Sequence, residues 1–229
     1  MLNFDCLVEI AERLSQDDIL EFSLIASDFY MAAKVSRKIK TTRYSITTSL
    51  RKLQKYYSRI KNIKLCDCAI RNGNLECLKW LRSKNCSWDS NTTGYAAANG
   101  HLNCLKWARE NGCEWDEDTC YAAAFNGHLE CLKWARENGC EWGWTTTTSA
   151  AANGHLDCLI WARENGCDWD EDTCSESSAN GQLECLKWAR ENGCEWNSTT
   201  CASAAGNGQL DCLKWARENG CDWDEDTCS

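Results

Sequence analysis

Apolar residues recur along most of the chain with the three- and four-residue spacing of one helical face. In LECLKWARE (129–137), the leucines, the tryptophan and the alanine fall on one stripe, and most charged residues fall on the other side. The preceding run, TCYAAAF (119–125), consists of small residues and two aromatics between an N-cap residue type and an Asn-Gly pair. The pattern predicts two short helices that bury a stripe against neighbours, because isolated helices of this length are marginal in water.

The ends of both helices can be placed from capping residues. Asp118 and Thr119 are N-cap types that precede the first helix. Asn126-Gly127 ends that helix, because glycine adopts the left-handed conformation without penalty. The second helix is predicted to begin near His128 and to end at Asn138-Gly139.

This two-helix pattern repeats every 27 residues from position 64 to position 229. Six full repeats run from Lys64 to Glu225, and a truncated seventh stops after Ser229. A fixed period between 20 and 50 residues indicates a solenoid of stacked helix pairs. Because such arrays need polar caps, we expect the C-terminal end to fray, to self-associate or to reflect a truncated reading frame. The repeat is marked by Asn72-Gly73, Asn99-Gly100, Asn126-Gly127, Asn153-Gly154, Asn180-Gly181 and Asn207-Gly208.

The segment GHLECLKWARENGC resembles the ankyrin signature, in which Gly-His opens the second helix and Gly plus a small residue closes it. Ankyrin repeats typically have 33 residues. The missing six fall where the family forms a projecting β-hairpin, so the resemblance implies tight turns there. It further implies an all-α, right-handed stack whose first helices and loops form a concave, protein-binding face. The array is similar to the Trp- and Cys-rich short-repeat ankyrins of large DNA viruses and single-celled eukaryotes.

Residues 1–63 lack the repeat and divide into two segments. Residues 1–40 are predicted to form a helical module with Ser15 as a cap, and residues 41–63 a basic helical connector that caps the array. The module resembles an F-box, although Asn3 stands where an F-box usually has proline. The resemblance implies binding of a Skp-family ubiquitin-ligase adaptor, and the alternative is a plain helical cap. The adaptor-binding residues would be Leu2, Leu7, Ile10, Leu14, Leu20 and Leu24.

Charge is divided unevenly between the two parts of the chain. Residues 1–63 hold 11 basic and 7 acidic residues, a net of +4, and residues 64–229 hold 14 and 27, a net of −13. The basic run from Lys34 to Lys61 suits either a nucleic-acid or anionic-lipid contact or a solvated connector beside an acidic array, and we favour the connector. An acidic array repels phosphates, so no nucleic-acid partner is predicted. No stretch of 18 apolar residues exists, so no membrane span is predicted.

The nineteen cysteines and three histidines follow the repeat rather than a catalytic or metal-binding pattern. Most cysteines occupy three repeat positions, none forms Cys-x-x-Cys, and we interpret them as reduced core thiols. His101, His128 and His155 share their position with asparagine and glutamine, which indicates a hydrogen bond at the helix start. No phosphate loop, dinucleotide fingerprint or nucleophile elbow is present. We therefore predict no catalytic residues, no cofactor, no metal site and no enzymatic activity.

The aromatic residues separate into regular and variable positions. Twelve of the thirteen tryptophans occupy two repeat positions and are predicted to pack between repeats. The exception, Trp144, is expected at least half exposed on a short loop. Variable positions of the first helices are better candidates for a partner contact, because aromatic residues are common binding hot spots. The predicted partner-binding residues are Tyr95, Tyr121, Phe125, Trp144 and Glu176.

These observations together predict a non-enzymatic interaction protein. The preferred hypothesis is an adaptor whose repeats bind a target protein while the F-box-like module binds the ligase. The first alternative is a plain ankyrin-type scaffold, and the second is a thiol-rich metal or redox protein. The reduced thiols and the absence of a basic, apolar leader predict a cytoplasmic protein, with the nucleus as the alternative compartment.

Overall fold

The computed structural model describes residues 65–83 and 85–222, and every element in this part is an α-helix, a turn or a loop. The F-box-like module, the basic connector and the truncated seventh repeat lie outside the described residues. One compact unit takes in residues 65–96 and 103–113, and a second takes in residues 97–102 and 114–222. Among helices of the described part, none has the length and apolarity needed to cross a membrane.

Two helices per repeat are observed, as the periodicity predicts. Odd-numbered helices are the first helices of their repeats, and even-numbered helices are the second. Their bounds are α1 Leu65–Arg71, α2 Leu75–Ser83, α3 Ser90–Ala98, α4 Leu102–Glu110, α5 Glu117–Phe125, α6 Leu129–Glu137, α7 Trp144–Ala152, α8 Leu156–Glu164, α9 Glu171–Ala179, α10 Leu183–Glu191, α11 Ser198–Gly206 and α12 Leu210–Glu218.

The first helices begin two residues earlier than the sequence suggested. Asp116 is the N-cap of α5, so Asp118 and Thr119 lie inside its first turn. The acids there remain favourable because they face the positive end of the helix dipole. Equivalent N-cap side chains close the cap directly, since Asp170 accepts the Asp172 amide at 3.1 Å and Asn197 accepts the Thr199 amide at 2.9 Å.

The helices end where the Asn-Gly pairs predict. Gly127 has φ +73° and Gly139 has φ +85°, which is the left-handed region that glycine tolerates best. After α5, the amide of His128 donates to the carbonyl of Ala123 at 2.8 Å. After α6, the Cys140 amide donates to the Ala135 carbonyl at 3.0 Å in the same way. Both ends are Schellman motifs, which satisfy the last carbonyls of each helix.

Within the second compact unit, helices stack on their equivalents in the next repeat. The first helices α5, α7, α9 and α11 contact one another in that order, and so do the second helices α6, α8, α10 and α12. Leu132 and Ala135 of α6 are fully buried, whereas Leu129 and Trp134 are half-buried. The core stripe of the second helix is therefore formed by a leucine, an alanine and a cysteine, with tryptophan at its margin.

The tryptophans pack between repeats, as the sequence predicts. In the second compact unit, four tryptophan pairs pack edge to face, with ring centroids 5.6–5.7 Å apart. The pairs are Trp115 and Trp134, Trp142 and Trp161, Trp169 and Trp188, and Trp196 and Trp215. Aromatic pairs of this geometry add to the burial energy. An arginine lies over several of these rings, as Arg136 does over Trp142 at 4.6 Å. The same guanidinium donates to the Cys140 carbonyl, so it ties the last turn of α6 to the following loop.

The shared histidine and glutamine position does not serve the role that the sequence suggested. His128 and His155 make no side-chain hydrogen bond at the start of their helices. Each instead packs on the glycine of the preceding repeat, with the His155 ring next to Gly127. The helix-start hydrogen bond occurs in the first repeat, where the Asn74 side chain accepts the Cys77 amide at 3.0 Å.

We expect Gly127→Ala to destabilise the protein by more than its backbone conformation alone requires. The left-handed conformation costs a non-glycine residue roughly 1–2 kcal/mol. An added Cβ would also lie 2.5 Å from Nδ1 of His155, and such overpacking adds about 1–3 kcal/mol. Urea unfolding of the variant and the unchanged protein measures the total.

Gly139→Ala is the matched control. Its φ of +85° carries the same backbone cost, but no atom lies within 4 Å of the added Cβ. The double variant Gly127→Ala/His155→Ala should recover the excess loss, because it removes the clashing ring. Equal losses at Gly127 and Gly139 would contradict packing of the histidine on the glycine.

Candidate functional site

The first-helix face is formed by the outward residues of α5, α7, α9 and α11, which stack side by side. Its most prominent feature is an aromatic pair on α5. Tyr121 is 37% exposed and Phe125 is 41% exposed, with ring centroids 5.7 Å apart. Four residues separate them in the chain, so they lie one turn apart on the same side of the helix. The structure thus brings together two predicted partner-binding residues.

The next first helices carry small residues at the positions equivalent to this pair. Thr148 and Ala152 take those positions on α7, and Ser175 and Ala179 take them on α9. Thr148 and Ser175 are each 8% exposed, so their short side chains are almost completely buried. Both rings of the pair on α5 are thus partly exposed beside helices that carry small residues at the equivalent positions.

Glu176 is the charged member of the predicted set and lies on α9. Its side chain is exposed, and α7 separates α9 from the aromatic pair on α5. The first-helix face therefore combines an aromatic pair, small residues and a carboxylate.

Trp144 occupies a different place from the one expected. It is the first residue of α7 rather than part of a loop, and its side chain is 47% exposed. Its carbonyl accepts hydrogen bonds from the hydroxyls of Thr147 and Thr148. Tryptophan takes the N1 position here because Gly143, in extended conformation, supplies the N-cap. The ring therefore borders the first-helix face at the end where the tight turns lie.

Tyr95 belongs to the first compact unit. It lies on α3, and the Arg71 guanidinium stacks over its ring at 3.6 Å. Cation–π stacking of this kind holds both side chains in place. Part of the Tyr95 ring is covered in this way, and the residue is half-buried rather than exposed.

The sequence did not single out an acidic groove beside the tight turns of the fourth and fifth repeats. The open groove has a volume of about 400 Å³. Arg163 lies over the Trp169 ring at 4.5 Å, and carboxylates form the rim. The signal was the recurrence of acids around each Gly-Cys-x-Trp turn. The lining residues are Arg163, Asp168, Trp169, Asp170, Glu171, Gly193 and Glu195.

The thiols and imidazoles of the described part are placed in the core or between repeats. The described cysteines are free thiols, and all but Cys77 are buried. No group of three or more metal-ligating side chains is found among the described residues. Burial lowers the pKa of His128, which keeps the ring neutral where it packs on Gly100.

Comparisons with known proteins agree with this architecture. Residues 93–173 match a family model described as ankyrin repeats (3 copies), and residues 65–109 match one described as ankyrin repeats (many copies). The crystal structure of the human ASB11 ankyrin repeat domain is similar, with a TM-score of 0.58 and 18% identity. The similarity covers 69% of this chain and 84% of that chain. Among curated proteins, no sequence matches this chain.

The helix pairs thus define a repeat-type interaction scaffold. More particularly, residues 65–173 match ankyrin repeats and the helix pairs keep a 27-residue period, which confirms the all-α, ankyrin-like fold. Ankyrin repeats bind protein targets and are generally non-enzymatic. The first-helix face is the part of this scaffold that differs most from one repeat to the next.

Proposed function

We propose that this protein is a non-enzymatic adaptor that binds a target protein on its first-helix face. The observation that carries the proposal is the exposed aromatic pair, Tyr121 and Phe125, beside a surface of small residues. Exposed aromatic pairs cost solubility and are typical of protein-binding sites. Trp144 and Glu176 would extend the contact along the stack. Tyr95 is proposed as a separate partner contact of the first compact unit.

The second part of the proposal concerns the F-box-like module. We propose that residues 1–40 bind a Skp-family adaptor and so link the captured target to a ubiquitin ligase. The support is the spacing of its apolar residues and the Asp-Ile-Leu step at positions 18–20. In this arrangement the connector, residues 41–63, joins the module to the repeat array.

Binding of a purified Skp-family adaptor to the full chain tests the ligase link. We expect micromolar or tighter binding that is lost in Leu20→Asp, because a charge on an apolar helix face carries a desolvation cost. Leu20→Met is the matched control and should still bind, since it conserves volume and apolarity. Absence of binding to the unchanged chain would reject the ligase link and leave the scaffold.

A separate measurement tests the first-helix face. Proteins cross-linked to the full chain in cells are compared between the unchanged protein, Tyr121→Ala/Phe125→Ala and Glu137→Ala. The double variant should lose specific targets while keeping its thermal stability, because both rings are exposed. Glu137 is exposed at the end of α6, which is a second helix, and its variant should keep the targets. If all three proteins cross-link to the same targets, the first-helix face is not the binding site.

The alternative is a plain ankyrin-type scaffold with no ligase link, in which residues 1–63 only cap the array. The thiol-rich metal or redox protein is a weaker alternative, because no group of three or more side chains that could hold a metal ion occurs in the part of the chain that the structure describes. We propose the cytoplasm or the nucleus as its compartment on the basis of its cysteine usage. The acidic array favours a protein partner over nucleic acid.

A further inference from the structure

Two cysteine positions of the repeat lie 20 residues apart and occur together in some repeats only. The first position lies near the start of the first helix, where Cys120 stands in α5. The second position follows the second helix, where Cys140 stands after α6. Threonine replaces the first cysteine in the second and fourth repeats, as Thr93 and Thr147. The remaining four repeats have both cysteines, as Cys66 and Cys86, Cys120 and Cys140, Cys174 and Cys194, and Cys201 and Cys221.

The two cysteines of a repeat are neighbours in the core. The Cys201 sulfur lies 3.9 Å from the carbonyl oxygen of Cys221, and both residues belong to one core cluster. Cys174 and Cys194 likewise share one core cluster. In the first repeat the Cys66 sulfur lies 3.8 Å from the carbonyl of Cys86.

The thiols within a pair also interact directly. A hydrogen bond between the two sulfurs, together with burial, raises the pKa of Cys120 well above its usual range. The same contact and burial raise the pKa of Cys174. The same contact lowers the pKa of Cys140 and of Cys194, because each accepts the hydrogen bond of its partner when it ionises. Within a pair, the cysteine that follows the second helix is therefore the first to form a thiolate.

Repeats with threonine make a different contact at the same place. The Thr147 hydroxyl oxygen lies 2.7 Å from the carbonyl oxygens of both Asp168 and Trp144, which share its one donated proton. The hydroxyl thus holds the first helix to the turn after the second helix by a hydrogen bond. In the cysteine repeats a covalent bond could hold the same two segments together.

We propose that the cysteine pairs are intra-repeat oxidation sites, which close to disulfides with a glutathione-type disulfide as the oxidant, whereas the threonine repeats stay unlinked. One thiolate attacks the oxidant, forms a mixed disulfide and releases one thiol. The second thiolate of the pair then attacks the mixed disulfide and releases the other thiol. The protein loses two protons and two electrons per pair, and the oxidant gains them as two thiols.

A disulfide within a repeat would make local unfolding of that repeat less favourable. A disulfide stabilises mainly by restricting the unfolded chain, and this one closes a loop within a single repeat. Cys120, Cys140, Cys174 and Cys194 are each 0% exposed. The thiols can therefore react only when a repeat opens locally, and the link would then prevent that repeat from opening again.

The test is oxidation of the full chain by oxidised glutathione in urea just below the unfolding midpoint. After refolding and acid quenching, the peptides are mapped by mass spectrometry without reduction. We expect links between Cys120 and Cys140 and between Cys174 and Cys194, each with a loss of two hydrogen atoms or about 2 Da. Links formed mainly between different repeats, or no links at all, would overturn the proposal.

Exchanging cysteine and threonine at the first position gives one variant that should lose a link and one that should gain a link. Cys120→Thr should lose the link to Cys140 and keep the one between Cys174 and Cys194, and its fold should persist because two repeats already carry threonine there. Thr147→Cys should gain a link to Cys167. A Thr147→Cys protein in which Cys167 stays unlinked while the natural pairs close would also count against the proposed geometry.

Discussion

Leu132→Ala is expected to lower the free energy of unfolding by roughly 3–5 kcal/mol, the range seen when a buried leucine leaves a cavity. Leu132 is 0% exposed in the middle of α6, and its helix contacts both α5 and α8. A single domain is stable by about 5–15 kcal/mol in total, so this loss is a large fraction of it. Urea unfolding followed by far-UV circular dichroism measures the change.

The position of Leu132 within the stack adds a second expected result. In repeat proteins each repeat is stabilised by its neighbours, so a weak repeat in the middle of the stack reduces the coupling between the two sides. Hydrogen exchange should therefore become faster in α5 to α8 before it changes in α11 and α12. The unfolding transition should also broaden, because the repeats no longer unfold together.

Leu210→Ala is the control for this prediction. Leu210 also lies in a second helix, but it is 56% exposed. Exposed substitutions usually change stability by less than about 0.5 kcal/mol. Similar losses at Leu210 and Leu132 would show that helix propensity rather than core packing determines the effect, and would contradict the assignment of the core.

The helices could be predicted because their determinants are local. The Asn-Gly pairs fix the helix ends through the left-handed glycine, and Gly127 and Gly139 adopt that conformation. The apolar stripe of LECLKWARE identifies the core side of the second helix, where Leu132 and Ala135 are buried. Repetition of the same pattern reinforces each of these local signals.

Contacts between repeats were harder to predict, because they depend on which residues meet across the stack. The packing of His155 on Gly127 joins residues 28 positions apart, and nothing in the local sequence distinguishes it from a helix-start hydrogen bond. The position of Trp144 was missed because Gly143 replaces the acidic or amide residue that caps other first helices. Its degree of exposure follows from the stack and not from the residue type.

The binding face illustrates the same division. That Tyr121 and Phe125 share one side of a helix follows from their spacing, and the structure places their rings in contact. The burial of Thr148 and Ser175 depends instead on the stacking of α7 and α9. Sequence variation between repeats identifies candidate residues, and packing decides which of them a partner can reach.

Alkaline pH is expected to destabilise the folded protein strongly between pH 9 and pH 11. Burial raises the pKa of Cys104, Cys158 and Cys185 from 9.0 to about 11. Below pH 9 both states keep these protons, so the full stability is present. Above pH 9 the unfolded chain releases protons that the folded chain retains, and stability falls until the folded thiols also ionise near pH 11.

The size of this effect follows from the number of buried thiols. One pKa unit corresponds to about 1.4 kcal/mol, so three thiols together remove about 4 kcal/mol for each pH unit inside the window. Unfolding in urea under a reductant at stepped pH values measures the slope. Cys158→Ala is the matched variant, because it keeps a small apolar side chain while removing one titrating group. Its slope should be smaller by about 1.4 kcal/mol per pH unit, and parallel curves would contradict ionisation of these buried thiols as the cause.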